Sequence, residues 1–189
     1  LTTKEKDANR GGPKNPYLYN PPSRHGYDQF FVTESKVPTW DPNKKPASFG
    51  KPESLGYGWN ALKKGEPYDG YGTAFWDNMG KVTKNLEGCA SRVVMDRAVP
   101  FIKKAAKTNT PFLAVIWFHA PHLPVVAGPE YAEIYKDQSF RMQQYAGCIT
   151  AIDDQIKRLR KELQALGIED DTMVWFTSDN GPEGKDIGS

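Results

Sequence analysis

The sequence is short of the residues that build metal clusters and cross-links: among 189 residues there are two cysteines and three histidines. Cys89 and Cys148 fall on separate predicted helices without ligand spacing, so free, buried thiols are expected rather than a bridge. With His25 the only imidazole besides His119 and His122, zinc is disfavoured. Long apolar runs are also missing. The longest, Phe112-Leu113-Ala114-Val115-Ile116-Trp117-Phe118, is far too short to cross a bilayer, and Leu1-Thr2-Thr3-Lys4-Glu5-Lys6-Asp7 does not read as a signal peptide. Nor is there an excess of one charge. Lys and Arg number 25 against 23 Asp and Glu, and the basic stretches Lys103-Lys104 and 157–161 have the spacing of solvated helix faces, not of a nucleic-acid surface. The balance, 38% hydrophobic and 25% charged, is that of one soluble globular domain able to bury a core.

Texture changes along the chain. Up to about residue 85, Gly, Pro, Asn and Tyr dominate, and the turn signals Asn20-Pro21-Pro22, Asp41-Pro42-Asn43 and Pro67-Tyr68-Asp69-Gly70 exclude long helices. One short strand is expected within residues 27–33, in a loop-rich region of the kind that carries function. From Leu86, the spacing of Val93, Val94, Ala98, Phe101, Ile102 and Ala105 predicts a helix despite Pro100, ending at Thr108-Asn109-Thr110-Pro111. The unalternating run 112–118 predicts a strand covered on both faces. Tyr145, Ile149, Ile152, Ile156, Leu159, Leu163 and Leu166 then mark one face of a long helix over 139–166, closed by Gly167. Residues 172–177 predict a second buried strand. A right-handed strand-helix-strand crossover would make the two strands parallel and open the loops 119–124 and 178–181 on one rim.

Chemistry concentrates on that rim. Asp179 and Asn180 offer two hard oxygen donors where a strand ends, with Gly181 permitting the bend, and such donors suit calcium or magnesium. The same Asp-Asn-Gly is also an ordinary turn sequence. In His119-Ala120-Pro121-His122-Leu123-Pro124, prolines stiffen a loop that holds an imidazole ready to bind an oxyanion or protonate a leaving group. A histidine bonded only to backbone is the plainer alternative.

These residues, in this order, resemble the sulfatase family of the alkaline-phosphatase superfamily. The resemblance runs through Gly26 to Pro42, Ser91-Arg92-Val93-Val94-Met95-Asp96-Arg97, the Pro111-Phe112-Leu113 run with its His119 to Pro124 loop, and Ser178-Asp179-Asn180-Gly181-Pro182-Glu183. It implies an α/β fold, part of an alkaline-phosphatase-like sandwich with mostly parallel central strands flanked by helices. It implies that residues 1–189 are an internal piece of one catalytic domain, with 1–85 on the substrate side and 86–189 a helix-strand-helix-strand core. Asp179 and Asn180 match the second pair of calcium ligands, and His122 matches the histidine that contacts the sulfate or leaving group. His119 takes a supporting part in substrate binding, and Lys36 and Trp40 are picked for substrate contact because they lie in a family-like stretch.

The family's nucleophile, a formylglycine made from Cys in Cys-x-Pro-x-Arg, has no counterpart here. Asn20-Pro21-Pro22-Ser23-Arg24 imitates the motif but puts asparagine in the nucleophile's place, so a turn is expected, with the nucleophile and first metal ligands upstream of Leu1. No role passes to Lys185. Of the aromatics Trp40, Tyr57, Trp59, Tyr68, Tyr71 and Trp76, some could stack on a sugar, although packing within the loop is the simpler use. By resemblance the parent hydrolyses sulfate esters of small molecules or polysaccharides with calcium (or magnesium), in the periplasm or outside the cell. The competing readings are a phosphodiesterase or phosphonate hydrolase of the same superfamily and a non-catalytic carbohydrate-binding relative. As an internal piece, the chain is expected to leave apolar faces bare.

Overall fold

A computed structural model describes residues 20–33, 36–44, 46 and 74–181. Three elements organise them. Helix α1 (Ala90–Lys107) packs one side on the long helix α3 (Phe140–Ala165), and the other on a small antiparallel sheet of β1 (Phe31–Thr33), β2 (Phe75–Asp77) and β3 (Gly80–Val82), in the order β1-β2-β3. A short helix, α2 (Pro129–Ile134), lies on α3.

The helices form where the apolar spacing puts them. Met95, Val99 and Ile102 of α1 interlock with Leu159 and Leu163 of α3, and that buried cluster carries α1 straight through Pro100 although proline removes a helical hydrogen bond. Ser139 caps α3 by accepting the Met142 N–H at 3.3 Å, and Gly167, at φ +67°, takes the left-handed turn after its end. Charge ties the same pair of helices together. Asp96 is held between Arg92 and Arg158, the latter 2.7 Å away, and Lys103 meets Glu162 at 2.7 Å. Despite partial burial, the Asn85 and Arg158 hydrogen bonds and the charge of Arg92 keep the Asp96 carboxyl below its ordinary range.

The sheet is locked to α1 by a second cluster, Val37, Phe75, Leu86 and Val93, with Phe31 stacked on Phe75 at 4.8 Å. β1 falls inside the expected strand. β2 and β3 form a hairpin in a stretch where none was expected, closed at Asn78-Met79 with Asp77 Oδ1 accepting the Met79 N–H at 2.8 Å. Asn20 to Arg24 is indeed a turn: the 3-10 segment Pro22–His25 ends on Gly26 at φ +84°. Cys89 and Cys148 are free and buried, and burial raises both thiols, that of Cys148 to about 12.

The expectation of two buried parallel strands is corrected. Neither 112–118 nor 172–177 belongs to a strand ladder among the described residues, and the one sheet there is antiparallel. In the first segment Phe112, Ile116 and Phe118 pack against the α1–α3 cluster, while Leu113 and Trp117 are 80% and 82% exposed. In the second, Met173, Trp175 and Phe176 are exposed, Trp175 at 86%. The reason is physical. A ladder needs a neighbour to receive its N–H and C=O groups, and a doubly covered strand needs a second layer. The α1–α3 pair supplies a cover for one face of the first segment only. The bare apolar surface expected of the chain lies on these two segments. Tyr57, Trp59, Tyr68, Tyr71 and Lys185 lie outside the described residues, and no helix described is long and apolar enough to cross a membrane.

Candidate active site

The histidine loop is a tight turn seated on α3. Ala120, Leu123 and Tyr145 pack around buried Val125 and Cys148, which anchors the chain on either side of His122. The His122 N–H donates to the His119 carbonyl at 2.8 Å, so the two imidazoles the sequence singled out share one turn. The peptide bonds Ala120-Pro121 and Leu123-Pro124 are both cis.

The two rings have different environments. His119 turns inward, meeting the Phe75 ring edge-on at 6.3 Å. Burial, helped by the neighbouring His122, lowers its pKa to about 4, so at neutral pH it is an uncharged imidazole. His122 is exposed, and its Nδ1 lies 2.7 Å from the Leu123 carbonyl. A carbonyl only accepts, so Nδ1 carries the proton. This fixes the tautomer: in the neutral ring Nε2 is the accepting nitrogen, and in the cation it becomes a second donor.

A strap, residues 36–42, holds the loop from the far side. Thr39, 3% exposed, donates its Oγ1 proton to the Val126 carbonyl at 2.7 Å and accepts the Val126 N–H on the same oxygen at 2.7 Å. Its backbone N–H donates to the Pro124 carbonyl at 3.2 Å, and its own carbonyl receives the Ala90 N–H, at the start of α1, at 3.0 Å. From α3, the buried Gln144 accepts the Ala127 N–H through Oε1 at 2.8 Å. The sequence singled out neither residue. The only signal was their position, Thr39 between family-like Lys36 and Trp40, and Gln144 beside the apolar face of α3.

Lys36 and Trp40 sit on this strap, both partly buried. The Trp40 indole lies flat against Gly128, where an added Cβ would come within 2.2 Å of the ring, and only glycine permits so close an approach. Asp179 and Asn180 share a second exposed turn: Asn180 Nδ2 donates to Asp179 Oδ2 at 3.3 Å, and the Ser178 hydroxyl donates to the Asn180 carbonyl at 2.6 Å. Carboxylate and carboxamide oxygens are the right chemistry for calcium or magnesium, but two residues supply only part of the roughly six to eight oxygens that calcium takes. Among the described residues, no group of three His, Cys, Asp or Glu is arranged to hold a metal. The structure therefore gathers the four residues into two pairs, each fixed in its own turn.

Comparison with known proteins identifies relatives of the chain. Among curated proteins, the chain is similar to an ulvan-active sulfatase of Formosa agariphila, 29% identical over 140 residues, covering 65% of this chain and 27% of that protein. It is also similar to the N-acetylgalactosamine-6-sulfatase of Homo sapiens, 32% identical over 98 residues, covering 52% of this chain and 18% of the relative. The chain thus spans about a quarter or less of the length of these relatives. Among solved structures, that of Ps i-CgsB in complex with k-i-k-neocarrahexaose is similar in fold, with a TM-score of 0.58 and 21% identity, covering 81% of this chain and 32% of that one. The α/β fold is thus the alkaline-phosphatase-like one expected, of which the described residues carry part. The sulfatase family model matches residues 2–187, taking in the strap, the histidine turn and the Asp179-Asn180 turn together, and the chain belongs to the sulfatase family.

Proposed function

We propose that the full-length protein hydrolyses sulfate esters of sulfated carbohydrates, and that this chain contributes His122, Asp179 and Asn180 to the active site. The observation that carries the reading is the family match over residues 2–187, which includes both polar turns. The relatives named for ulvan and for N-acetylgalactosamine-6-sulfate support a carbohydrate ester as substrate. Asp179 and Asn180 would hold a calcium ion, or magnesium in its place, together with donors from elsewhere in the protein. When bound, the ion supplies positive charge that offsets the charge of the sulfate oxygens.

Proton handling falls to the histidine turn. His122, with Nδ1 engaged by the Leu123 carbonyl, has Nε2 as the ring atom that can donate to a sulfate oxygen or to the ester oxygen as the alcohol departs. His119 stays neutral beside it at neutral pH, so it adds no positive charge to the turn. Lys36 and Trp40, on the strap, are the substrate-side residues of the same proposal. A formylglycine nucleophile, which no residue of this chain provides, and a periplasmic or secreted location complete it.

The test is turnover by the full-length protein of 4-nitrophenyl sulfate and sulfated oligosaccharides, set against phosphodiester and phosphonate monoester analogues. Preferential sulfate release supports the reading. Preference for the phosphorus esters would make the protein a phosphodiesterase or phosphonate hydrolase of the superfamily, and sugar binding without turnover of any ester would make it a non-catalytic relative.

A further inference from the structure

Thr39 is hydrogen-bonded through both its side chain and its backbone to the segment that follows His122. Its single side-chain oxygen closes a two-way pair with Val126, a residue 87 positions away, while its backbone N–H takes the Pro124 carbonyl. These three bonds fall on Pro124 and Val126, two and four residues after His122. Gln144 fixes the next one, Ala127, from α3. Thr39 is 3% exposed and its chain neighbours Val37 and Pro38, like Pro124 and Val125 beside Val126, are almost fully buried, so losing these part-buried bonds carries a desolvation cost. On the upstream side, the backbone bond from His122 to His119 closes the turn.

We propose that Thr39 is a positioning residue for the reaction: its hydroxyl, assisted by Gln144, sets how far His122 reaches toward the departing oxygen of the ester. The inference rests on the sulfatase reading and deepens it. A residue that only stabilises the fold would, when altered, lower activity on every substrate alike. A residue that aims a proton donor matters in proportion to how badly the leaving group needs the proton. A nitrophenolate leaves almost unaided, whereas a sugar alkoxide does not.

The experiment uses the full-length enzyme and the variants Thr39→Val, which keeps the shape and removes the hydroxyl, Thr39→Ser, which keeps the hydroxyl, and Gln144→Met. The expected result for Thr39→Val is a fall in kcat of between about tenfold and a hundredfold on a sulfated sugar, with KM little changed and a much smaller fall on 4-nitrophenyl sulfate. Thr39→Ser should recover most of the loss, and Gln144→Met should show the same bias between leaving groups. Equal losses on both substrates, or Thr39→Val activity matching the unaltered enzyme, would overturn the proposal while leaving the sulfatase reading intact. Should Thr39→Val fail to fold, Gln144→Met decides: a loss equal on the two substrates, without leaving-group bias, overturns the proposal. If the unaltered enzyme turns over no sulfate ester, the functional reading itself has failed.

Discussion

His119 should make the protein acid-sensitive over a defined range. Burial against Phe75 lowers its pKa from the ordinary 6.5 to about 4, so the folded protein binds this proton only below about pH 4, while the unfolded chain binds it below about 6.5. Between these values the unfolded state carries more protons. The contribution is therefore complete above pH 6.5, declines as pH falls toward 4, and is flat below that. At about 1.4 kcal/mol per pH unit the total is on the order of 3 kcal/mol. The perturbation is His119→Gln in the full-length protein, with urea unfolding measured at pH 7, 6, 5 and 4.5. Carboxylates also titrate there, so the informative quantity is the stability of the unaltered protein minus that of the variant. It should shrink steadily with acid. A difference that stays constant from pH 7 to 4.5 would refute the claim that His119 is held neutral by burial.

Leu163→Ala should cost about 2–5 kcal/mol in denaturant unfolding, because the side chain is 2% exposed at the centre of the α1–α3 cluster. A cost below 1 kcal/mol would mean that the helices do not meet there. Gly128→Ala should destabilise by about 1–3 kcal/mol, since the new methyl would lie 2.2 Å from the Trp40 ring. Trp40→Leu should relieve much of that penalty in a double-mutant cycle, and additive effects would count against the contact.

The elements legible in the sequence were those whose own residues suffice to specify them. α3 carries its apolar spacing and its Gly167 stop, so its bounds in the structure lie within a residue or so of the expected ones, although Ile149 of the expected apolar face is 40% exposed. α1 was readable in spite of Pro100 because its packing face is continuous. The β2–β3 hairpin was not readable, as its three-residue strands are too short to show alternation and sit in a loop-like composition. The runs 112–118 and 172–177 show a subtler limit: apolar composition marks what a segment prefers to bury, whereas a ladder depends on which neighbours accompany it.

At the site, residue chemistry alone pointed to the loop of His119 and His122, and the family resemblance gave His122 the catalytic part and His119 a supporting one. The structure gives the two rings different environments, His119 edge-on to Phe75 and His122 exposed with Nδ1 engaged. Thr39 was invisible for a different reason. No periodicity or motif links residue 39 with residue 126, and only folding places the hydroxyl across from that backbone.

The decisive measurement is metal content and turnover of the full-length Asp179→Ala variant, with calcium counted by elemental mass spectrometry alongside sulfate release. Loss of the bound ion together with a fall in kcat of at least about a hundredfold is the predicted result. A variant that keeps both its calcium and its turnover would contradict the assignment of the Asp179-Asn180 turn to the catalytic centre.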